Sequence, residues 1–258
     1  GYITYGVEGQ NTTRLEGINV TEGTDANGGY FDFGSFEEYQ VGGSGNMGEQ
    51  AGPGAMLNVT IKSGGDRFSG SGYFDFENDD TIGDNVPDAF RAAGGTNDSG
   101  FVAPRIVDPA TGAVGGLERG NPITKQFDFN VSLGGPIMRQ RAWFFTSYRN
   151  NQQFKTILGV PNEDEIKTTN ITAKGTYQVN QNNQLIAFYN RRSKLQELRG
   201  LSLTTPPESA QIQDSVYVPW KVEWTSVLSR QAFLDLQFSH WKVPFPLYPT
   251  QTRSDSVE

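Results

Sequence analysis

Residues 52–76, GPGAMLNVTIKSGGDRFSGSGYFDF, hold two runs of strict alternation separated by Ser63-Gly64-Gly65-Asp66. Alternation with period two places successive side chains on opposite sides of an extended chain, so the stretch predicts two strands and a break. In the first run Leu57, Val59 and Ile61 share one face, against Met56, Asn58, Thr60 and Lys62. In the second, Phe68, Gly70, Gly72, Phe74 and Phe76 face one way and Ser69, Ser71, Tyr73, Asp75 and Glu77 the other. Aromatics interleaved with glycine along one face are an unusual surface for a strand that packs into an ordinary core.

The residues before this stretch read as short strands and turns. Thr12–Val20 holds two short apolar pieces around Gly17, and Thr21–Gly29 is rich in turn formers. Phe36–Val41 fits a strand or, with Ser35-Phe36-Glu37-Glu38 as a capping sequence, a helical turn. Gly42–Gly54 carries six glycines, which suit either a flexible loop or a backbone threaded close to another one.

Beyond residue 78 comes a long stretch without periodicity, to residue 122, and then strands in series. Phe127–Leu133, Ala142–Phe154, Asn170–Val179, Gln184–Glu197, Ser215–Leu228 and Ala232–Ser239 all alternate. The turns at Met138–Arg141, Asn180–Asn183 and Ser229–Gln231 are tight. The connections at 78–122, Leu158–Lys167 and Gly200–Gln213 are long. Long and short connections thus alternate, the pattern of up-and-down hairpins in a transmembrane barrel and not of a sandwich.

In this order the segments LEGINVTEG, FDFGSFEEYQV, GPGAMLNVTIKSGGDRFSGSGYFDFEND and FNVSLGGPIMRQRAWFFTSYR resemble a TonB-dependent outer-membrane receptor of the Oar-like group. The similarity spans residues 12–150, and beyond them only the strand pattern continues it. It implies a mainly β fold: a mixed plug segment over 1–66, then antiparallel up-and-down strands of a transmembrane β-barrel over 67–258. About seven strands are present, where the family barrel has about 22, and 78–122 becomes a long outer loop. The chain is then expected to be an internal fragment, because an open barrel leaves two unpaired edges in lipid.

The same resemblance implies energy-coupled uptake of a scarce solute at the bacterial outer membrane. The implied partners are outer-membrane lipid, an unknown solute ligand and an inner-membrane energy-transducing complex that acts through an N-terminal segment missing here. Thr21–Tyr30 would be an upper plug loop, with Asp25, Asn27 and Tyr30 as ligand contacts. Trp143, Phe145, Tyr148, Trp220, Trp224 and Trp241 would form interfacial aromatic girdles. The alternative is a secreted or cell-surface β-rich adhesion or structural module. It predicts strand faces that are buried or wet, and no aromatic belts. A β-sandwich carbohydrate enzyme is a third reading, and would need two carboxylates across a cleft.

Composition narrows the chemistry. There is no cysteine, hence no disulfide or thiolate. No apolar run approaches the roughly 20 residues of a membrane helix, and no signal peptide opens the sequence at Gly1. An exported chain would therefore have lost its N-terminus. Residues 1–66 carry nine acidic and two basic side chains, and the loop 78–122 is acidic too, which argues against a nucleic-acid partner.

Catalysis has little support. His240 is the single histidine, near a strand end, and is read as structural or interfacial. Glu37 and Glu38 are neighbours that an extended chain points apart. The acidic string Glu77, Asp79, Asp80 and Asp84 lacks the spacing of a calcium loop and is read as solvated charge. No catalytic residue, metal ligand or cofactor site is assigned, and the chain is not expected to be an enzyme.

Overall fold

The computed structural model describes residues 11–22, 30–42, 54–78, 123–157, 160–202 and 204–250, with short pieces between 80 and 115. Asp25 and Asn27 lie outside the described residues, as do Asp79 and Asp84. The described residues form two main sheets and no α-helix.

The first sheet is small. Its strands are β1 (Thr12–Leu15), β2 (Ile18–Asn19), β3 (Phe36–Gly42) and β4 (Met56–Ile61), in the order β2-β1-β4-β3. Only β1 and β4 run parallel. Leu57, Val59 and Ile61 are buried and alternate with more exposed Met56, Asn58 and Thr60, as the sequence predicts. The β1–β2 turn is Glu16-Gly17, with φ of 52° and 79°. Two positive values in a two-residue loop are what a type I′ hairpin turn requires.

Phe36–Val41, left open between helix and strand by its sequence, is strand. A 3₁₀ turn at Phe33–Ser35 precedes it, capped by Asp32, whose carboxylate accepts the Gly34 N–H at 3.1 Å.

The second sheet begins with β5 (Ser69–Asn78). The two-residue strands β6 (Ile106–Val107) and β7 (Val114–Gly115) pair only with each other. Then follow β8 (Ile123–Met138), β9 (Ala142–Ile157), β10 (Val160–Asn180), β11 (Asn183–Arg199), β12 (Gln211–Tyr217), β13 (Trp220–Val227), β14 (Phe233–His240) and β15 (Leu247–Pro249). The spatial order is β14-β13-β11-β10-β9-β8-β5, with β12 beside the C-terminal half of β11 and β15 beside β12. All these pairings are antiparallel.

Two connections depart from expectation. Leu158–Lys167 is mostly strand: β9 ends at Ile157, β10 starts at Val160, and Glu163 to Lys167 pair with Thr156 to Gln152. That segment is polar on both sides and so shows no hydrophobic period, but the backbone ladder does not need one. The expected alternation of long and short connections is therefore not kept. Ser215–Leu228, expected as one strand, divides at Val218-Pro219, because proline has no N–H for the ladder. The Pro219 carbonyl still accepts the Asn190 N–H at 3.0 Å.

The small sheet packs on one face of the large one. Leu15, Ile18, Val20, Leu57, Val59 and Ile61 form a single apolar cluster with Phe145 and Phe188 of the large sheet. Apart from that cluster the covered face is polar, and the uncovered face carries the apolar side chains. Asn170, Thr172 and Lys174 of β10 are buried while Ile171 and Tyr177 are exposed. Phe129, Val131, Leu133, Trp224, Leu236 and Phe238 extend that exposed face across the sheet.

The large sheet is open, and this corrects the main sequence expectation. Among the described residues no pairing joins β14 to β5, so the strands do not form the expected transmembrane β-barrel. No helix of the described residues is long and apolar enough to cross a membrane, a statement that concerns helices only. The aromatic girdle is also not assembled as expected. Phe145 is buried in the shared cluster, Trp241 packs against it, and Trp143 donates its indole N–H to Asp66 at 2.8 Å. Tyr148, Trp220 and Trp224 share the uncovered face.

Candidate functional site

The covered face of the large sheet is built from rows that cross its strands in register. One row runs Tyr73, Asn130, Arg149, Asn170, Arg192, Tyr217 from β5 to β12. The next runs Ser71, Ser132, Ser147, Thr172, Asn190. A strand places every second residue on this face, so Asn190, Arg192, Lys194 and Gln196 of β11 all point into it.

The segment 30–35 meets these rows and satisfies many of their polar groups. Asp32 accepts Asn130 Nδ2 and Ser147 Oγ, each at 2.8 Å, and all three residues are buried. Arg149 donates to Asp128 through Nε at 2.8 Å and to the Phe31 carbonyl through Nη1 at 2.9 Å. The charge-assisted bond to Asp128 raises the Arg149 pKa, with burial opposing it. Asn170 Nδ2 donates to the Tyr30 carbonyl.

A cationic cluster lies at the β11–β12 end of the first row. Arg192 is 1% exposed, and its guanidinium carbon lies 4.8 Å from the Phe31 ring centre and 5.4 Å from that of Trp241. Tyr217 stacks on Trp241 at 5.8 Å. Lys194 Nζ sits 5.0 Å from the centre of the Tyr30 ring. Arg199 lies 5.0 Å from the centre of the Phe245 ring and donates to Gln213 Oε1 at 2.6 Å. Gln213 in turn donates to Ser215 Oγ at 3.1 Å.

The electrostatics follow from burial. Desolvation pushes Arg192 down to about 9, against the pull of Tyr217 and Glu22. It pushes Lys194 down to about 8, and the neighbouring Arg199 adds to that. Burial raises Tyr30 and Tyr217, each opposed by a side-chain hydrogen bond, from Gln213 and Ser215 respectively. Glu22 is raised by burial and drawn back by Arg192. All of these are the shifts of charged forms removed from water.

Arg192 makes no hydrogen bond through Nε, Nη1 or Nη2. Asp164 Oδ1 and Asn190 Oδ1 are also buried without a partner. The other Asp164 oxygen is used: it accepts Gln196 Nε2 at 2.7 Å and lies 3.6 Å from Lys155 Nζ.

Of the three expected ligand contacts, Tyr30 is described and belongs to this cluster; the other two fall outside the described residues. Sequence reading missed Arg192, Lys194 and Arg199. The signal was present in RRSKLQELR, where Arg192 and Lys194 are two apart and so share a face. Their burial was not legible, because alternating charge on a strand usually marks the wet side. His240 is exposed beside Trp220, with ring centres 6.1 Å apart, and Glu37 and Glu38 are exposed on the edge strand β3. Among the described residues no three His, Asp or Glu side chains cluster in a way that could hold a metal.

No protein-family model matches the chain. No curated protein matches it either. The likeness to TonB-dependent receptors is therefore corrected, since neither comparison supports it and the sheet that should close as their barrel is open. Outer-membrane location, solute uptake, and the lipid, solute and energy-transducing partners all depended on that architecture and fall with it. What stands is a mainly β protein in which a small four-stranded sheet covers the polar face of an open nine-stranded one.

Proposed function

We propose that the chain is a β-rich adhesion or structural module of the secreted or cell-surface kind, with no catalytic role, that assembles through the uncovered face of its large sheet. The observation that carries this reading is the exposed apolar surface formed by Phe74, Phe129, Val131, Leu133, Trp224 and Phe238. A sheet face of this kind is stable when another layer covers it, and in β proteins that layer is a second sheet packed about 10 Å away. Contiguous apolar surface on this scale marks an interaction site.

The occupant supported best is a second copy of the same chain, face to face. Four large aromatics with their aliphatic neighbours offer on the order of 800 Å² per partner, the size of a standard stable interface. A two-fold axis would set the same patch against itself. The edge strands β5 and β14 each keep one side unpaired among the described residues, a further route for extension from copy to copy.

Sedimentation velocity in detergent-free buffer tests this. The expected result is a species of twice the chain mass or more, shifted toward monomer by Val131→Lys with Phe238→Lys. A monomer at every concentration overturns the reading. So does a protein that stays dispersed only when a detergent micelle covers the face.

A further inference from the structure

We propose that Arg192, with Lys194 and Arg199, forms a binding site for a carboxylate or sulfate group of an acidic ligand, with Tyr30, Tyr217 and Trp241 as its aromatic wall. The site does not depend on what covers the opposite face of the sheet.

Three observations support it. First, the balance of charge is positive. Arg192, Lys194 and Arg199 lie within eight residues of one strand, Lys194 and Arg199 close enough to act on each other, and Glu22 is the only described carboxylate whose field reaches Arg192. It reaches Arg192 without a hydrogen bond. Asp164, the described carboxylate whose field reaches Lys194, is engaged through Oδ2 by Gln196 and Lys155.

Second, Arg192 is fully buried with Nε, Nη1 and Nη2 all unpaired. A buried guanidinium without acceptors is costly, and native proteins satisfy such groups with protein, water or an ion. The Phe31 and Trp241 rings lie within cation–π range of the guanidinium, contacts that use none of its N–H groups as hydrogen-bond donors to an oxygen. That planar fork matches the two oxygens of a carboxylate or sulfate.

Third, the surroundings supply neutral donors and part-buried aromatic neighbours. Tyr30 and Tyr217 hydroxyls stand close to Gln213 and Ser215, and Tyr30 and Trp241 are only part-buried. An acidic sugar or a sulfated group fits this combination of cations, hydroxyls and aromatic faces. A neutral sugar would leave the guanidinium unpaired.

The test is titration of the intact chain with sodium sulfate and with sodium glucuronate, followed by calorimetry and by thermal melting, at ionic strength matched with sodium chloride. Glucose serves as the neutral control. A saturable rise in Tm with at least one of the two anions is expected, with none from glucose. Arg199→Gln, at the part-exposed end of the cluster, should weaken binding at least tenfold, and Arg192→Met should abolish it. Arg230→Gln, in the distant β13–β14 turn, should leave it unchanged. Saturation by sulfate alone assigns a sulfated group, and saturation by glucuronate alone assigns a carboxylated one. Should Arg192→Met fail to fold, Arg199→Gln decides. An unsaturable rise shared with chloride, or equal affinity in the wild-type chain and Arg199→Gln, overturns the proposal.

Discussion

Glu16 Oε1 lies 2.8 Å from Lys174 Nζ, joining the first hairpin of the small sheet to the centre of the large one. Both side chains are buried, and the same oxygen accepts the Ile61 N–H at 2.6 Å. The other carboxylate oxygen lies 3.3 Å from Lys221 Nζ. Lys174 also donates to the Ile61 carbonyl at 2.9 Å, and Lys221 to Glu223 at 2.6 Å. Glu16 holds a φ of 52°, which costs a non-glycine residue about 1–2 kcal/mol. The contacts to two lysines and a backbone N–H offset that strain.

Glu16→Ala should therefore destabilise the protein by about 3–5 kcal/mol, because buried Lys174 loses its carboxylate partner, buried Lys221 keeps only Glu223, and the Ile61 N–H loses its acceptor. Glu16→Gly removes the same charge but also relieves the positive φ, so it should cost about 1 kcal/mol less. Urea unfolding of the two variants measures both numbers. Equal losses would show that the turn carries no strain.

Asp32 is the second tie between the sheets. Asp32→Ala removes the acceptor of buried Asn130 and Ser147 and the cap on the 3₁₀ turn. A loss on the order of 3 kcal/mol is expected. Hydrogen exchange should show the Phe33–Ser35 turn opening ahead of the strands of the large sheet.

Gly64 sits where the connection from β4 to β5 passes close to the large sheet. A Cβ there would come 2.1 Å from the Phe144 carbonyl oxygen and 2.9 Å from that of Gly135. Both are backbone atoms in a ladder, so neither can move aside cheaply. Gly64→Ala should cost about 2 kcal/mol or more, whereas Gly65→Ala, with open space around it, should be close to neutral in the same melts.

Lys194 makes a pH prediction. Its folded pKa is about 8 against an ordinary 10.5, lowered by burial and then by Arg199. Below pH 8 the lysine is charged in both states, and the cost of burying that charge is fully present. Between about 8 and 10.5 the unfolded chain binds the extra proton, so stability rises with pH across that window. Arg192, lowered to about 9, acts in the same direction. Tyr30 and Tyr217, both raised, oppose it only above pH 10. Thermal melts from pH 7.5 to 10 should show a rising Tm in the wild-type chain and a flatter profile in Lys194→Met; parallel profiles would exclude Lys194 as the source.

The local structure was largely legible. The alternation of Leu57, Val59 and Ile61 located a strand and its buried face, and Gly17 located the first hairpin turn. The turns after Met138, Asn180 and Val227 fall where the sequence placed them. At Leu158–Lys167 reading failed: a strand polar on both faces has the composition of a loop, and only its neighbours β9 and β11 hold it extended.

The candidate site was less legible. Tyr30 was named, but its partners Lys194 and Gln213 stand 164 and 183 residues further along the chain. Arg192 reads as surface charge until Phe31 and Trp241 close over it.

By itself the sequence determined most of the extended segments, which of their residues share a face, and the tight turns after Met138 and Asn180, because period two and turn formers act within a few residues. Only the tertiary structure decided which face is covered, that no pairing closes the large sheet among the described residues, and that Arg192 and Lys194 of β11 are buried. The covered face and its burial depend on the small sheet docking by Glu16 and Asp32 onto strands more than a hundred residues away in sequence, and no local pattern records that contact.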